Sequence, residues 1–292
     1  MKNVKKVKSV KRKTIAIPFL ITILISLILI GIPVMKFYEK VVEKDKIKNF
    51  EIKEEDEYKA KPEDDATILF ILDTNDTSDK NTYLLLRTLV DKKQFVVVTL
   101  ANDTIVDYKN SKSTVDNLYY NGGVPAIKTA ISKSLNIEID KYIKLNDESF
   151  IKICDILGGV TYYIPEGIKN FNVGMQYLSS EKIMTFLSYK NMQEDQRVFA
   201  VNGLVSEMLK QTIGERLAEI LKDSFFKLID IMETDISSID FNNGKDAVAH
   251  VFKNDDYNVY FREVKGERDV NGFNVDNDFI YELQILFGYE ED

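Results

Sequence analysis

The side chains that most often carry out chemistry are scarce in this chain of 292 residues. Cys154 is the only cysteine, so no disulfide forms within the chain. It lies on the apolar side of a helical stretch with Phe150 and Ile153, where a thiol packs as a small hydrophobe. His250 is the only histidine, which excludes a multi-histidine metal centre. Its setting, Ala247-Val248-Ala249-His250-Val251-Phe252, reads as a helix face with a structural role. No arginine occurs between Arg87 and Arg197. The remaining candidates are carboxylates, lysines and a few arginines, side chains that hold oxyanions or hard cations, or simply stay solvated.

Elements must bring such residues together. Ala66 to Leu72 is a short apolar, β-branched run ending at Asp73, and Tyr83 to Val90 and Gln94 to Leu100 read as two further strands joined by Asp91-Lys92-Lys93. Gly122 and Gly123 break the chain. After them Ala126, Ile127, Ala130, Ile131 and Leu135 recur at helical spacing, with Lys128, Ser132 and Lys133 on the other face. A strand at Tyr142 to Leu145 leads to a helix from Asp147, whose carboxylate is suited to cap it; Gly158-Gly159 end that helix before a strand at Val160 to Ile164. Helices are expected at Ser180 to Tyr189 and at Gln193 to Lys222, the second with Gly203 or Gly214 as an interruption. A final helix, a strand at Asn258 to Val264 and a helix at Asn277 to Phe287 follow. Strands interspersed with helices over about 225 residues predict an α/β domain of three layers, a central mixed β-sheet flanked by helices.

Lys2, Lys5, Lys6, Lys8, Lys11, Arg12 and Lys13 make residues 1–13 a basic tail, and Thr14 to Met35 follows without a charge. At helical rise these 22 residues span about 33 Å, enough to cross a bilayer core. A cleaved signal has a shorter apolar region that ends at small residues, whereas Met35-Lys36-Phe37-Tyr38 follows here, so an uncleaved transmembrane helix is expected. The cations before it place the N-terminus in the cytoplasm and the remainder outside, on a single-pass protein of a bacterial cell membrane. Residues 36–65 hold 19 charged side chains in 30 and read as a solvated stalk, leaving residues 66–288 as the extracytoplasmic domain. Removing the seven N-terminal cations from 39 basic residues leaves 32 against 47 acidic ones, a formal charge of −15. Such a surface repels nucleic acid.

Asn121-Gly122-Gly123 with its following helix, Lys141-Tyr142-Ile143-Lys144-Leu145, and Asp155-Ile156-Leu157-Gly158-Gly159-Val160 running to Pro165 occur in an order that resembles the LytR-CpsA-Psr (LCP) family. The likeness extends from Ala66 to Phe287 and includes Val264-Lys265-Gly266-Glu267 before a polar loop and a last helix. Members of that family transfer anionic glycopolymers from polyprenyl-pyrophosphate carriers to peptidoglycan. The resemblance implies a cell-envelope protein with a polyprenyl-(pyro)phosphate-linked glycopolymer and peptidoglycan as partners. It also implies Mg²⁺-assisted phosphotransfer. That reaction needs the pyrophosphate oxygens neutralised as charge moves to the leaving phosphate, a task for guanidinium forks and a carboxylate-bound metal ion.

Carried over by position, the resemblance gives Asp73 the place of the family's first aspartate. The Arg-Ser-Asp-Thr motif stands here as Asp79-Lys80-Asn81-Thr82, with an acid for the arginine and an amide for a metal-binding carboxylate. Pro-Arg-Asp-Thr stands as Ala101-Asn102-Asp103-Thr104, keeping the aspartate and threonine. The family's Arg-x-Arg pair becomes Ser188 and Lys190. In its Asp-x-x-Arg-x-x-Arg-Gln helix, Glu194 and Arg197 keep an acid three residues before an arginine, while Ala200 and Val201 replace the rest. Of five arginine positions, Arg197 alone is kept and Lys190 is a partial substitute.

The site implied is therefore Arg197 and Lys190 for catalysis, the same two with Lys128 and Asn102 for phosphate or lipid, and Asp73 and Asp103 for a weakly bound Mg²⁺. A structural reading stands beside each: Asp73 as a strand-end cap, Arg197 paired with Glu194 or Asp195, the lysines solvated. Phe186, Leu187, Phe199, Leu204 and Met208 match a lipid groove of the family or, at helical spacing, a core. Each charge-assisted phosphate contact contributes about 1.5–3 kcal/mol, so losing several predicts a catalytically weak or inactive protein that binds lipid-linked polymer or an envelope partner. One alternative is an active phosphotransferase rebuilt on Asp73, Asp103, Lys128, Lys190 and Arg197. The other is a structural or signalling ectodomain that binds no phosphate.

Overall fold

A computed structural model of the chain describes residues 58–74, 81–187, 189, 191–213, 227–253 and 256–289. The expected transmembrane helix at Thr14 to Met35 lies outside them, and no helix among the described residues is long and apolar enough to cross a membrane.

Alternation along the strands builds the core. In β1 (Ala66–Asp73), Leu69 and Ile71 point to one face of the sheet and Phe70 and Leu72 to the other, so an almost wholly apolar run marks a central strand covered on both sides. β1 pairs antiparallel with β2 (Thr82–Leu89) and parallel with β6 (Lys141–Asn146). β2 pairs antiparallel with β3 (Gln94–Leu100), and β3 pairs parallel with β10 (Asn258–Arg262). With the short β9 (Glu233–Thr234) beside β6, the order is β10-β3-β2-β1-β6-β9, a mixed sheet. The expected central mixed sheet is found.

One face carries α1 (Val115–Leu135) and α6 (Asn277–Leu286), whose Ile127, Ile131, Phe279 and Leu283 pack on Leu69, Tyr83, Leu85 and Val98. The other carries α2 (Asp147–Leu157), α4 (Glu194–Met208) and α5 (Ser238–Phe252), with Leu157, Val201, Val251 and Phe252 against Leu84, Phe95 and Val97. Beside this layer, β7 (Val160–Ile164), β8 (Gly174–Leu178) and α3 (Ser180–Leu187) enclose a satellite core around Phe186, Leu204 and Cys154.

Several local expectations shift. The glycine break is real, since Gly123 has φ 65°, but it bends a helix that already starts at Val115, where the Thr114 hydroxyl accepts from the Asn117 N–H. Asn146 rather than Asp147 caps α2, accepting from the Ser149 N–H at 2.8 Å. Gly203 does not interrupt α4; its missing Cβ leaves room for Tyr162, whose hydroxyl lies 2.7 Å from where that atom would stand. Two hairpins add to the expected elements: β4 (Ile105–Tyr108) with β5 (Ser111–Thr114), in a segment given no element, and β11 (Gly266–Arg268) with β12 (Phe273–Val275), where a polar loop was expected. The end of the expected stalk packs on the domain: Tyr58 lies 5.2 Å from the His250 ring, and Asp65 accepts from the Val90 N–H.

Candidate functional site

The carboxyl ends of β1, β3 and β6 meet the start of β2 along one edge of the sheet. Asp73 ends β1, Thr82 opens β2 opposite Leu72, and Asn146 ends β6 opposite Asp73. After β3 the chain turns through Ala101–Thr104, and the carbonyls of Asn102 and Thr104 accept from the Asp116 and Val115 N–H groups at the start of α1. Glu194 and Arg197 lie at the start of α4. The crevice beyond the carboxyl ends of such strands is where open α/β sheets bind ligands.

Arg197 is 4% exposed, and its guanidinium is divided among groups of the protein. Nη1 donates to the Thr82 hydroxyl at 3.0 Å, Nη2 to Asn102 Oδ1 at 2.6 Å and to Glu194 Oε1 at 2.7 Å, and Nε to Glu194 Oε2 at 3.3 Å. Glu194 Oε1 also accepts from the Asn102 N–H. Helical geometry explains the pair, because residues three apart share a face.

Asp73 occupies a different setting. Its Oδ2 accepts from the Tyr119 hydroxyl at 2.6 Å and lies 3.4 Å from Lys144 Nζ, which also meets Glu233 at 3.0 Å. The pleat sets this arrangement, since Asp73 shares the parity of Leu69 and Ile71 and so faces α1, which carries Tyr119. Thr82 shares the parity of Leu84 and faces α4. Asp73 and Arg197 thus converge on one sheet edge from opposite layers. Among the described residues no hydrogen bond or ion pair joins them. Burial and the hydrogen bond to Asp73 raise the Tyr119 pKa, keeping its proton on the phenol. For Lys144, burial works against the ammonium, but hydrogen bonds to Glu233 and Tyr119 outweigh it and raise its pKa. Between the two settings, Asp116 Oδ1 accepts from the Asn81 amide at 2.9 Å and from the Tyr83 hydroxyl at 2.8 Å.

Asp103 meets an arginine from a distant part of the chain. Arg268, on β11, donates from Nε to Asp103 Oδ2 at 2.6 Å and, through Nη1 and Nη2, to both Asp195 oxygens at 3.0 and 2.9 Å. The backbone fixes the approach, because the Phe273 N–H donates to the Asp103 carbonyl and a Cβ on Gly272 would stand 2.3 Å from that oxygen. Hydrogen bonds to Asp195 and Asp103 raise the Arg268 pKa further. Residue 102 itself holds an amide, which accepts from Arg197, while the guanidinium on its neighbour Asp103 comes from the C-terminal hairpin.

The other expected residues separate. Lys128 donates to the Asp140 carbonyl at 2.8 Å and pairs with Asp235 at 3.0 Å. Asp140 in turn binds the backbone of Thr67, so Lys128 lies at the opposite end of β1 from Asp73, about 20 Å away along the strand. Lys190 and Ser188 lie outside the described residues, as do Asp79 and Lys80. Phe186, Leu204 and Met208 are core residues, whereas Phe199 is exposed and packs edge-on against Phe261. Lys144, Tyr119, Glu233 and Arg268 join the edge without having been singled out as site residues. For Lys144 the strand spacing contained a signal, but Tyr119, in the half of α1 not read as helix, and Arg268 had none.

The two aspartates do not fit a shared magnesium ion. Asp103 is compensated by Arg268 and Asp73 by Lys144, and no cluster of three or more acidic, histidine or cysteine ligands occurs among the described residues. Hard cations need several oxygen donors that are free of such partners.

Comparison with known proteins agrees with the fold. The LytR_cpsA_psr family model matches residues 32–278. A structure described as a transcription regulator from Eubacterium siraeum superposes with a TM-score of 0.71 at 17% identity, covering 80% of this chain and 95% of that one. TagV of B. subtilis gives a TM-score of 0.61 at 16% identity, covering 78% and 98%. TagT bound to LI-WTA gives 0.62 at 14% identity, covering 79% and 92%, the B. subtilis protein of that name being similar as well. The search of curated proteins finds no match.

Proposed function

The chain belongs to the LytR-CpsA-Psr family, and from that premise we propose that it is a membrane-anchored, extracytoplasmic member that has lost most or all phosphotransfer and works by binding a lipid-linked glycopolymer or an envelope partner. One observation carries the loss of catalysis. Arg197, the one family arginine kept by position, is buried and bound by Glu194, Asn102 and Thr82. A guanidinium used this way has no fork left to present to a pyrophosphate.

Charge supports the same reading. At the sheet edge Arg197, Arg268 and Lys144 are each paired with carboxylates: Glu194 for the first, Asp103 and Asp195 for the second, Asp73 and Glu233 for the third. Among the described residues these five acids outnumber the three cations, the reverse of a site that stabilises departing phosphate. The acidic balance of the chain also speaks against reading a regulator's DNA-binding role into it. TagT, a structural neighbour seen bound to LI-WTA, supports a wall polymer as the ligand class.

The test is to incubate the full chain with a polyprenyl-pyrophosphate-linked glycopolymer, Mg²⁺ and peptidoglycan, and to follow pyrophosphate cleavage. No turnover above background is expected. Turnover that disappears on Arg197→Ala, in a variant that keeps its circular dichroism spectrum, would sink the inactive reading. Absence of any binding to the lipid-linked polymer would remove the ligand class.

A further inference from the structure

The β7–β8 hairpin is two-faced. Val160, Ile164 and Leu178 are buried in the satellite core, with Tyr162 edge-on to Phe186 at 5.7 Å. The register pairs Tyr163 with Met175 and Thr161 with Tyr177, which places Tyr163, Met175 and Tyr177 together on the outer face. These three, with Val173 next to them, are 55 to 65% exposed. From Val160 to Leu178 only Glu166 and Lys169 are charged, in a chain whose charged fraction is 29%. An exposed apolar face of this kind marks a surface for another phase or molecule.

The hairpin and the chain's entry into the domain share a layer. Tyr58 packs on the cluster containing Leu157, Leu209 and Val251. The same layer grips the hairpin root, because the Gln211 side chain bonds both the N–H and the carbonyl of Thr161. Residues 36–57, between the predicted anchor and Tyr58, are 22 in number and so reach at most about 80 Å even if fully extended, a tether that would hold the anchored domain near the bilayer. Tyrosine suits the lipid–water boundary, its ring being apolar and its hydroxyl wet, and the hairpin, whose one acid and one lysine cancel, escapes the repulsion that an acidic surface meets at anionic lipids.

We propose that the outer face of β7–β8, with Tyr163, Val173, Met175 and Tyr177, rests on the outer leaflet of the membrane and orients the domain there. The inference rests on the reading that Thr14–Met35 anchors the chain. The occupant is the bilayer interface.

The chain contains no tryptophan, so a single substitution makes a clean reporter. Full chain carrying Met175→Trp is reconstituted into vesicles of phosphatidylcholine and phosphatidylglycerol in equal parts, with and without brominated acyl chains. Tyr281→Trp, on α6 of the opposite layer, is the control. The Met175→Trp emission is expected to shift to the blue and to lose severalfold more intensity to brominated lipid than the control. Equal quenching of the two reporters in protein that floats with the vesicles overturns the hairpin inference alone. A blue shift that grows with protein density but ignores brominated lipid also overturns it, in favour of a second copy of the chain. Protein that does not float with the vesicles overturns the anchoring reading and this inference together.

Discussion

Glu194 and Arg197 stand one helical turn apart at the start of α4, and their Oε1–Nη2 contact of 2.7 Å is buried, with side-chain exposures of 11% and 5%. The pair holds the turn after β3 through Asn102 and the start of β2 through Thr82. An arginine that the family pattern assigns to phosphate is a strut between three elements.

Arg197→Ala is therefore expected to destabilise the domain by about 3–5 kcal/mol, since it takes one partner out of a buried ion pair. Urea unfolding measures the change. The double variant with Glu194→Ala should lose less than the sum of the two single variants, because residues of one buried pair are coupled. Additive losses would show that the strut is not a unit.

Arg268→Ala should cost less, about 1 kcal/mol at most, because Arg268 is partly exposed and Asp195 mostly so, and solvent screens such pairs. Its effect should be local. Amide exchange is expected to quicken at residues 266–275, and added salt should produce part of the same effect in the parent chain. Unchanged exchange there would show that the backbone bonds to Asp103 hold the hairpin alone.

Burial, and then the charge of Asp155, push the Cys154 thiol up to about 12. The folded chain thus keeps the thiol proton to higher pH than the unfolded chain does. Stability from this source is complete below the ordinary thiol pKa of about 8.5 and falls as pH rises from there toward about 12. At neutral pH a thiol reagent should modify Cys154 only as fast as the satellite core opens. Rapid labelling of the native chain would contradict a packed thiol.

Gly159→Ala should destabilise the hairpin by about 1–3 kcal/mol through overpacking. A Cβ there would stand 2.2 Å from the Leu178 carbonyl and 2.5 Å from the Tyr177 ring. The backbone oxygen cannot swing aside as a long side chain can. Thermal unfolding checks this, with Gly244→Ala as a control, since nothing lies near its Cβ position.

Much of the fold was legible because its signals are local. Gln94–Leu100 and Val160–Ile164 have the bounds that residue type suggests, and Gly158 ends α2 with φ 97°. The β11–β12 hairpin was not legible, because its short polar strands lean on a carbonyl of Asp103 that is remote in sequence. The start of α1 was hidden for another reason. Its cap, Thr114, precedes a stretch whose periodicity is interrupted at Gly123, so only the second half looked helical.

By itself, the sequence determined the order of the main strands and helices, the near absence of arginine along a family pattern that uses several, and the charge that disfavours nucleic acid. These depend on residue types and on spacings within one element. Only the tertiary structure decided which partner each charge has. Arg268 reaches Asp103 across 165 residues, and Asp73 faces Tyr119 while Thr82 faces Arg197, because strand parity and the helix covering each face set the direction of every side chain. Charge pairing is a matter of a few ångströms, and no local pattern encodes a distance between elements that meet only on folding.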